Sequence, residues 1–299
     1  MAALLVTAVV AALLASGCGA SDPQFKPQRT ASPPARASVS HIAVIVMENA
    51  EYSDVLNSGS APYISSLAKQ YALASESFGI THPSLPNYLA LTGGSTAGIT
   101  SDCTDCSVAG AGLAGQLASA GVSWKAYMES LPSPCFKGAG AGEYAKKHDP
   151  FIYYRAIAAN PAQCSRIVPL TNLAGDERAG LPRFLWISPN LCHDMHDCSV
   201  ATGDRFLNSL VPPLLQALGP RGLLILTFDE GLSNAGCCAR ASGGHIVTVL
   251  AGGAARPHGV LKTPVDHYST LQLIEDLLRL RRLGGAACAC TPTLAPLLR

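Results

Sequence analysis

Three groups of polar residues follow apolar runs in this chain. Glu48 and Asn49 follow Met47, Asp229 and Glu230 follow Phe228, and Asn190, His193, Asp194, His196 and Asp197 follow Ser188. One such pair is ordinary in a solvated turn. Three of them, each behind its own apolar run, read as oxygen and imidazole donors gathered at one edge. That is the donor set of a hard or borderline divalent cation. A fourth group, His82-Pro83-Ser84-Leu85-Pro86-Asn87-Tyr88, sets a hydroxyl between two prolines ahead of an apolar stretch at 88–91. A hydroxyl at a helix N-terminus lies among free backbone N–H groups, which favour a phosphate dianion. Ser is also a good helix N-cap, and the residues alone fit both roles. No G-x-S-x-G elbow occurs, which argues against a serine esterase.

Such groups need a frame to bring them together. His41 to Met47, Arg183 to Ser188 and Leu223 to Phe228 are short apolar runs of the kind that form strands buried on both faces. Val122 to Met128 and His245 to Ala251 are further strands. The pattern Ile64, Leu67, Ala68, Tyr71 predicts a helix over 62–74. Helices are also expected over 113–120, 204–218 and 268–280, that over 204–218 interrupted or restarted at Pro212-Pro213. Alternation of this kind predicts an α/β fold, a mostly parallel central sheet with helices on both faces. Ligands bind such sheets at the carboxyl ends of the strands, where the polar groups stand.

Composition narrows the setting. Hydrophobic residues make up 48% of the 299 and charged residues 14%, enough for a large core and too apolar for a disordered chain. Basic and acidic side chains number 21 and 20, a balance that argues against a nucleic-acid partner. Residues 1–17 carry no charge and read as a signal peptide. They end in Ala15-Ser16-Gly17-Cys18, which resembles a bacterial lipobox with Cys18 as the lipidated residue; simple cleavage and free secretion is the alternative. Residues 18–40 read as that Cys and a Pro-rich tether, and 41–299 as the folded domain. Either route is extracytoplasmic. Ten cysteines remain beyond Cys18, an even number that implies disulfides. Cys103-x-x-Cys106 offers half a zinc site, but no second pair stands at finger-like spacing. Neighbouring Cys237 and Cys238 have Cα atoms about 3.8 Å apart, below the usual disulfide span. They are therefore expected to bond to Cys288 and Cys290. Cys192 is expected to close on Cys198, leaving Cys103 and Cys106 for Cys135 and Cys164.

The segments Val46–Asn49, His82–Tyr88, Met195-His196-Asp197, Phe228-Asp229-Glu230 and His267-Tyr268-Ser269, in that order, resemble the bacterial phosphoesterase family. That family includes acid phosphatases and phospholipases C and belongs to the alkaline-phosphatase-like superfamily. Tyr144–His148 and Met195–Asp204 sharpen the likeness toward small secreted acid phosphatases that act on phosphoinositides. The resemblance runs from about His41 to Leu280. It implies a metal-dependent hydrolase of phosphate monoesters working through a phosphoserine. Ser84 would be the nucleophile. Glu48, Asn49, Asp229 and Glu230 would hold the cation. Asn87 and His82 would touch phosphate oxygens, with His148 as a further substrate contact. His196, Asp197 and His267 would complete the site as phosphate ligands, proton donors or metal ligands. Two-zinc members of the superfamily carry Asp–His where this chain has Asp229-Glu230, and Asp where it has Asn49 and Asn190. Fewer imidazoles and more amides point to one divalent cation, Mg²⁺, Ca²⁺ or Fe, with two as the alternative. The substrate would be a small phosphorylated molecule or a phospholipid headgroup, reached at the membrane if Cys18 is lipidated. The alternatives are a phospholipase C or other phosphodiesterase, and an inactive surface binding protein on the same scaffold.

Overall fold

The computed structural model describes residues 39–299. The expected leader, Cys18 and all but the last two residues of the tether lie outside the described residues. The strands in chain order are β1 (Ile42–Met47), β2 (Ala72–Phe78), β3 (Trp124–Met128), β4 (Gly140–Ala141), β5 (Tyr144–Ala145), β6 (Ile167–Pro169), β7 (Phe184–Ser188), β8 (Leu223–Phe228), β9 (His245–Ala251), β10 (Gly259–Leu261) and β11 (Val265–Asp266). The helices are α1 (Pro62–Gln70), α2 (Ser84–Gly93), α3 (Gly112–Ser119), α4 (Arg155–Ala158), α5 (Pro161–Cys164), α6 (Leu173–Ala179), α7 (Val200–Leu218) and α8 (His267–Leu278).

One mixed sheet has the order β10-β2-β9-β8-β1-β7-β3-β6, with β11 also beside β2; β4 and β5 form a separate hairpin. All its pairings are parallel except those of β9, which runs against β2 and β8. The central strand shows why the run is apolar throughout. Ile42, Val44 and Val46 of β1 enter the core beneath α2, α3 and α8, while Ala43, Ile45 and Met47 enter the core beneath α1 and α7. A strand with period 2 between two helix layers has no face for water.

Two helix boundaries differ from expectation. The 62–74 helix stops at Gln70, and Ala72 begins β2, which pairs with β9 and β10. Ala72, Leu73 and Ala74 suit a helix by propensity, and sheet pairing overrides it. The helix expected from Asp204 begins four residues earlier, where Ser199 caps Thr202 N–H, and it runs unbroken through Pro212 and Pro213. Both prolines are exposed, so the carbonyls they leave unpaired face water rather than core. Asp204 instead braces α1: its carboxylate accepts from the N–H groups of Tyr63 (3.0 Å) and Ile64 (2.9 Å), donors that the helix's own cap residue, Ala61, leaves free.

The ten cysteines among the described residues form five disulfides. Cys192–Cys198 closes the loop after β7 as expected. The other expected pairings are not found: the bridges are Cys103–Cys106, Cys135–Cys164, Cys237–Cys238 and Cys288–Cys290. Local geometry decides this. Cys103 and Cys106 stand 5.7 Å apart at Cα on one turn, within the ordinary span. Cys135 N–H donates to Ile167 O, which holds its segment beside the end of α5 and Cys164. Arg240, rather than either neighbouring cysteine, reaches Cys290.

Glu275 of α8 is fully buried away from the strand ends. Its Oε1 accepts Leu283 N–H at 3.0 Å, and its Oε2 has no partner. Burial pushes its carboxyl up to about 8. The folded chain therefore holds this proton to a higher pH than the unfolded chain. The stability linked to it is full below the ordinary Glu value and is lost as pH rises toward 8. Glu275→Gln keeps an acceptor for Leu283 and removes the titration. The variant should melt roughly 5–10 °C above wild type at pH 8 and level with it near pH 4. Parallel melting curves across that range would contradict this account of Glu275.

Candidate active site

The register of three adjacent strands builds the site. Met47 of β1 pairs with Phe228 of β8, so Glu48 and Asp229 leave the sheet side by side. On the other flank β7 pairs in parallel with β1, and the loop beyond it returns Asp194, whose carbonyl accepts Glu48 N–H at 2.8 Å. The three polar groups seen in the sequence thus converge at the carboxyl ends of β8, β1 and β7.

Ser84 is the first residue of α2, and the N-cap is Pro83. The hydroxyl therefore does not cap the helix. It is buried and donates to Glu48 Oε2 at 3.0 Å. Tyr88, one turn along α2, donates its phenol to Glu48 Oε1 at 2.5 Å. His148 Nε2 lies 3.3 Å from the same Oε2, and its Nδ1 lies 3.0 Å from Asp194 Oδ2, off the line of a good hydrogen bond. Burial disfavours the imidazolium, but Glu48 and Asp194 outweigh it and raise His148 to about 9. Burial likewise pushes Glu48 up, yet His148, Tyr88 and Lys147 together hold it below its ordinary value.

The remaining carboxylates lack that support. Asp229 is fully buried; its Oδ1 accepts Asn49 N–H at 3.2 Å and its Oδ2 has no partner. Burial, then Glu48 and Glu230, push it well above the usual range. Burial raises Glu230 to about 7 despite His82, and raises Asp194 to about 6 despite His148. Four acidic groups face one another with too little positive charge between them. An orphaned Asp229 oxygen and an oxygen-rich donor set fit a hard divalent cation. Glu48, His148 and His196 also offer one donor atom each within 4.8 Å of one another, a second corner for such an ion that shares Glu48.

His82 Nδ1 lies 2.8 Å from Glu230 Oε2, and its Nε2 lies 3.0 Å from Ser233 O. Asn87 spends its amide locally. Oδ1 accepts from Ile80 and Thr81 N–H, and Nδ2 faces the carbonyls of Thr81 and Pro83 and, at 3.3 Å, Glu230 Oε2. It fixes the turn before Ser84. Asn49 sits at φ 45°, the left-handed region that Asn tolerates. His267 opens α8 and donates from Nε2 to the Asp229 carbonyl; burial lowers it to about 4, so it stays neutral. Asn190, His193 and His245 serve structure. Asn190 holds the loop through Cys192 N–H and His193 N–H, His193 stacks on Phe206, and His245 stacks on Tyr52 and Phe78.

The sequence reading passed over Lys147, although it lies within the quoted Tyr144–His148 segment. The β4–β5 hairpin delivers it to the site rim. Its Nζ lies 3.1 Å from Asp102 Oδ2 and 3.0 Å from His196 Nε2. An ammonium has only donors, so His196 Nε2 accepts, and its Nδ1–H is donated to Asp197 Oδ1 at 2.6 Å. Burial opposes the Lys147 charge, but Asp102, Glu48 and Asp229 outweigh it and hold the ammonium above its ordinary value. Asp197 itself is exposed. Asp102 was also missed, and no local pattern marks it. The one usable signal for Lys147 was its place beside His148.

The sequence profile of the Phosphoesterase family matches residues 46–281. A phosphatidylinositol-3-phosphatase of Mycobacterium tuberculosis is 34% identical over 293 residues, which cover 96% of this chain and 91% of that protein. An acid phosphatase of Aspergillus fumigatus is 30% identical over 257 residues, 81% of this chain but 55% of the fungal protein. Among solved structures, a protein of the alkaline phosphatase superfamily from Vibrio parahaemolyticus gives a TM-score of 0.59 at 10% identity, over 85% of this chain and 71% of its own. Murine ectonucleotide pyrophosphatase/phosphodiesterase 5 in complex with AMP gives 0.54 at 13% identity, over 87% and 100%. At such identities the likeness is one of fold.

Proposed function

Because the chain belongs to the phosphoesterase family and is a phosphoric-ester hydrolase of the acid-phosphatase kind, we propose that it cleaves phosphate monoesters by attack of Ser84 at phosphorus. The observation that carries this reading is the Ser84 hydroxyl. It stands at the head of α2, is free of any capping duty, and is aimed at Glu48 Oε2 among buried carboxylates.

Glu48, Asp229 and Glu230, with the Asn49 amide, would hold a divalent cation, and His148 and His196 would flank it. Bound there, the cation supplies Lewis acidity that lowers the hydroxyl's pKa and offsets charge on the phosphoryl group. The rest is the work of side chains. Glu48 Oε2 would hold the Ser84 hydroxyl in line, and with its pKa lowered the hydroxyl would give its proton to solvent as Oγ bonds to phosphorus and the ester P–O bond breaks. Tyr88 and His148 keep the Glu48 carboxylate oriented. Lys147 has two of its three N–H donors engaged and turns the third to a phosphate oxygen. His82, half-buried at the rim, would meet the phosphate from the opposite flank by releasing Ser233 O from its Nε2. As the ester P–O bond breaks, the leaving alkoxide would take a proton from His196 in its protonated form, with Asp197 steadying the imidazole, and water then cleaves the phosphoserine. His267, neutral and tied to Asp229, fixes the β8 end.

The named phosphatase of phosphatidylinositol 3-phosphate among the relatives supports phosphoinositide headgroups as one substrate class. Five disulfides support an oxidising, extracytoplasmic setting. Lipidation at Cys18 would hold the enzyme at the membrane that carries such substrates. Steady-state rates on p-nitrophenyl phosphate and its bis-ester test the reaction class. The monoester should show a kcat/KM at least about tenfold higher, and a faster diester would make the enzyme a phosphodiesterase.

A further inference from the structure

Asp102 is an acidic side chain of the site to which the reaction above gives no task. It stands in the irregular stretch between α2 and α3. That stretch is fastened in several places: Cys103–Cys106 closes the turn next to Asp102, Lys146 Nζ donates to Thr104 O, and Val108 N–H donates to Tyr153 O. The fastening delivers one carboxylate to two elements of the site. Asp102 Oδ1 accepts the N–H of Leu85, the second residue of α2, at 2.9 Å. Asp102 Oδ2 holds Lys147 Nζ at 3.1 Å.

We propose that Asp102 is a positioning residue that ties the helix bearing Ser84 to the Lys147 ammonium, so that nucleophile and phosphate-binding cation are set relative to each other before substrate arrives. The proposal rests on the reading of Lys147 as a phosphate ligand. A negative charge beside a phosphate dianion is unfavourable unless it is matched, and the 3.1 Å pair matches it. Lys147 hangs on a flexible four-carbon stem. Asp102 on one side and His196 on the other fix its head, leaving one N–H for the ligand. Asp102 also occupies the Leu85 N–H, so phosphate finds the start of α2 already oriented.

The test compares inorganic phosphate inhibition, kcat and KM on p-nitrophenyl phosphate, and melting temperature across four full-length proteins: wild type, Lys147→Ala, Asp102→Asn and the double variant. Asp102→Asn keeps an oxygen for Leu85 and removes the charge that holds Lys147. Lys147→Ala should weaken phosphate binding about 10- to 100-fold, the size of a charge-assisted hydrogen bond. Asp102→Asn should weaken it about 5- to 50-fold, and the double variant should be within about 3-fold of Lys147→Ala. Asp102→Glu, which keeps the charge, should recover most of the loss and guards against poor folding of the Asn variant. Unchanged or tighter phosphate binding in Asp102→Asn, with Lys147→Ala impaired, would overturn the brace and leave the Lys147 reading intact. Additive losses in the double variant would also overturn it. No effect of Lys147→Ala would remove the reading of Lys147 and the brace with it.

Discussion

Ser84→Ala should lower kcat on p-nitrophenyl phosphate by at least about 10³-fold while KM and phosphate inhibition change little. The hydroxyl bonds to phosphorus only as the transition state forms, so its loss falls on kcat. The fold should survive. Pro83, not Ser84, occupies the N-cap, and Glu48 keeps Tyr88 and His148 as partners when the serine donor is gone. The expected cost is about 1–3 kcal/mol, the range of a hydrogen bond to a charged group. Circular dichroism and melting on the same preparation separate a folded, inactive enzyme from an unfolded one. A folded Ser84→Ala protein with near wild-type kcat would exclude this serine from the chemistry.

Asp229→Asn should abolish activity together with metal content, yet leave the chelator-treated protein about as stable as wild type. Both halves come from the same burial. Without a cation, Asp229 is pushed well above the ordinary carboxylate range by burial and by Glu48 and Glu230. Burial and those neighbours favour its protonated form, so a neutral amide of the same shape should replace it at little cost. With a cation the carboxylate is a ligand, and removing one anionic donor should weaken binding at least about 100-fold, beyond the loss typical of outer partners. At a cation concentration 100 times the wild-type Kd, wild type gains about 2.7 kcal/mol and the variant well under 1. Melting with and without a chelator, with metal analysis, reads both. Equal stabilisation of the two proteins by added divalent cation would remove Asp229 from the ligand set.

The parts of the site legible in the sequence were those set by local chemistry. Ile42–Met47 and Leu223–Phe228 declare themselves as buried strands because neither has a polar face. Once they lie side by side in parallel, Glu48 and Asp229 have to emerge together. The start of α2 was legible because Pro83 and Pro86 fix the backbone about Ser84; whether the hydroxyl caps the helix or faces Glu48 was not, since a tertiary contact decides it. Lys147 and Asp102 illustrate what local pattern cannot carry. They are 45 residues apart, on a hairpin and an irregular loop, and only the folded chain shows that they pair. Ala72–Ala74 was misread as the end of a helix for a related reason: its alanines and leucine favour a helix until β9 and β10 supply edges to pair with. Apart from Cys192–Cys198, the expected cysteine pairings failed because counting constrains the number of bridges, whereas their connectivity depends on which backbone segments are neighbours.

Covalent capture of phosphate tests the central claim most directly. Radiolabelled p-nitrophenyl phosphate is mixed with enzyme in the presence of divalent cation, quenched in acid within one turnover, and the digest is examined by mass spectrometry. The account predicts label on the peptide that contains Ser84, at that hydroxyl, and none in Ser84→Ala. Rapid product release with no phosphoprotein at any quench time, or label on a histidine instead, would contradict it.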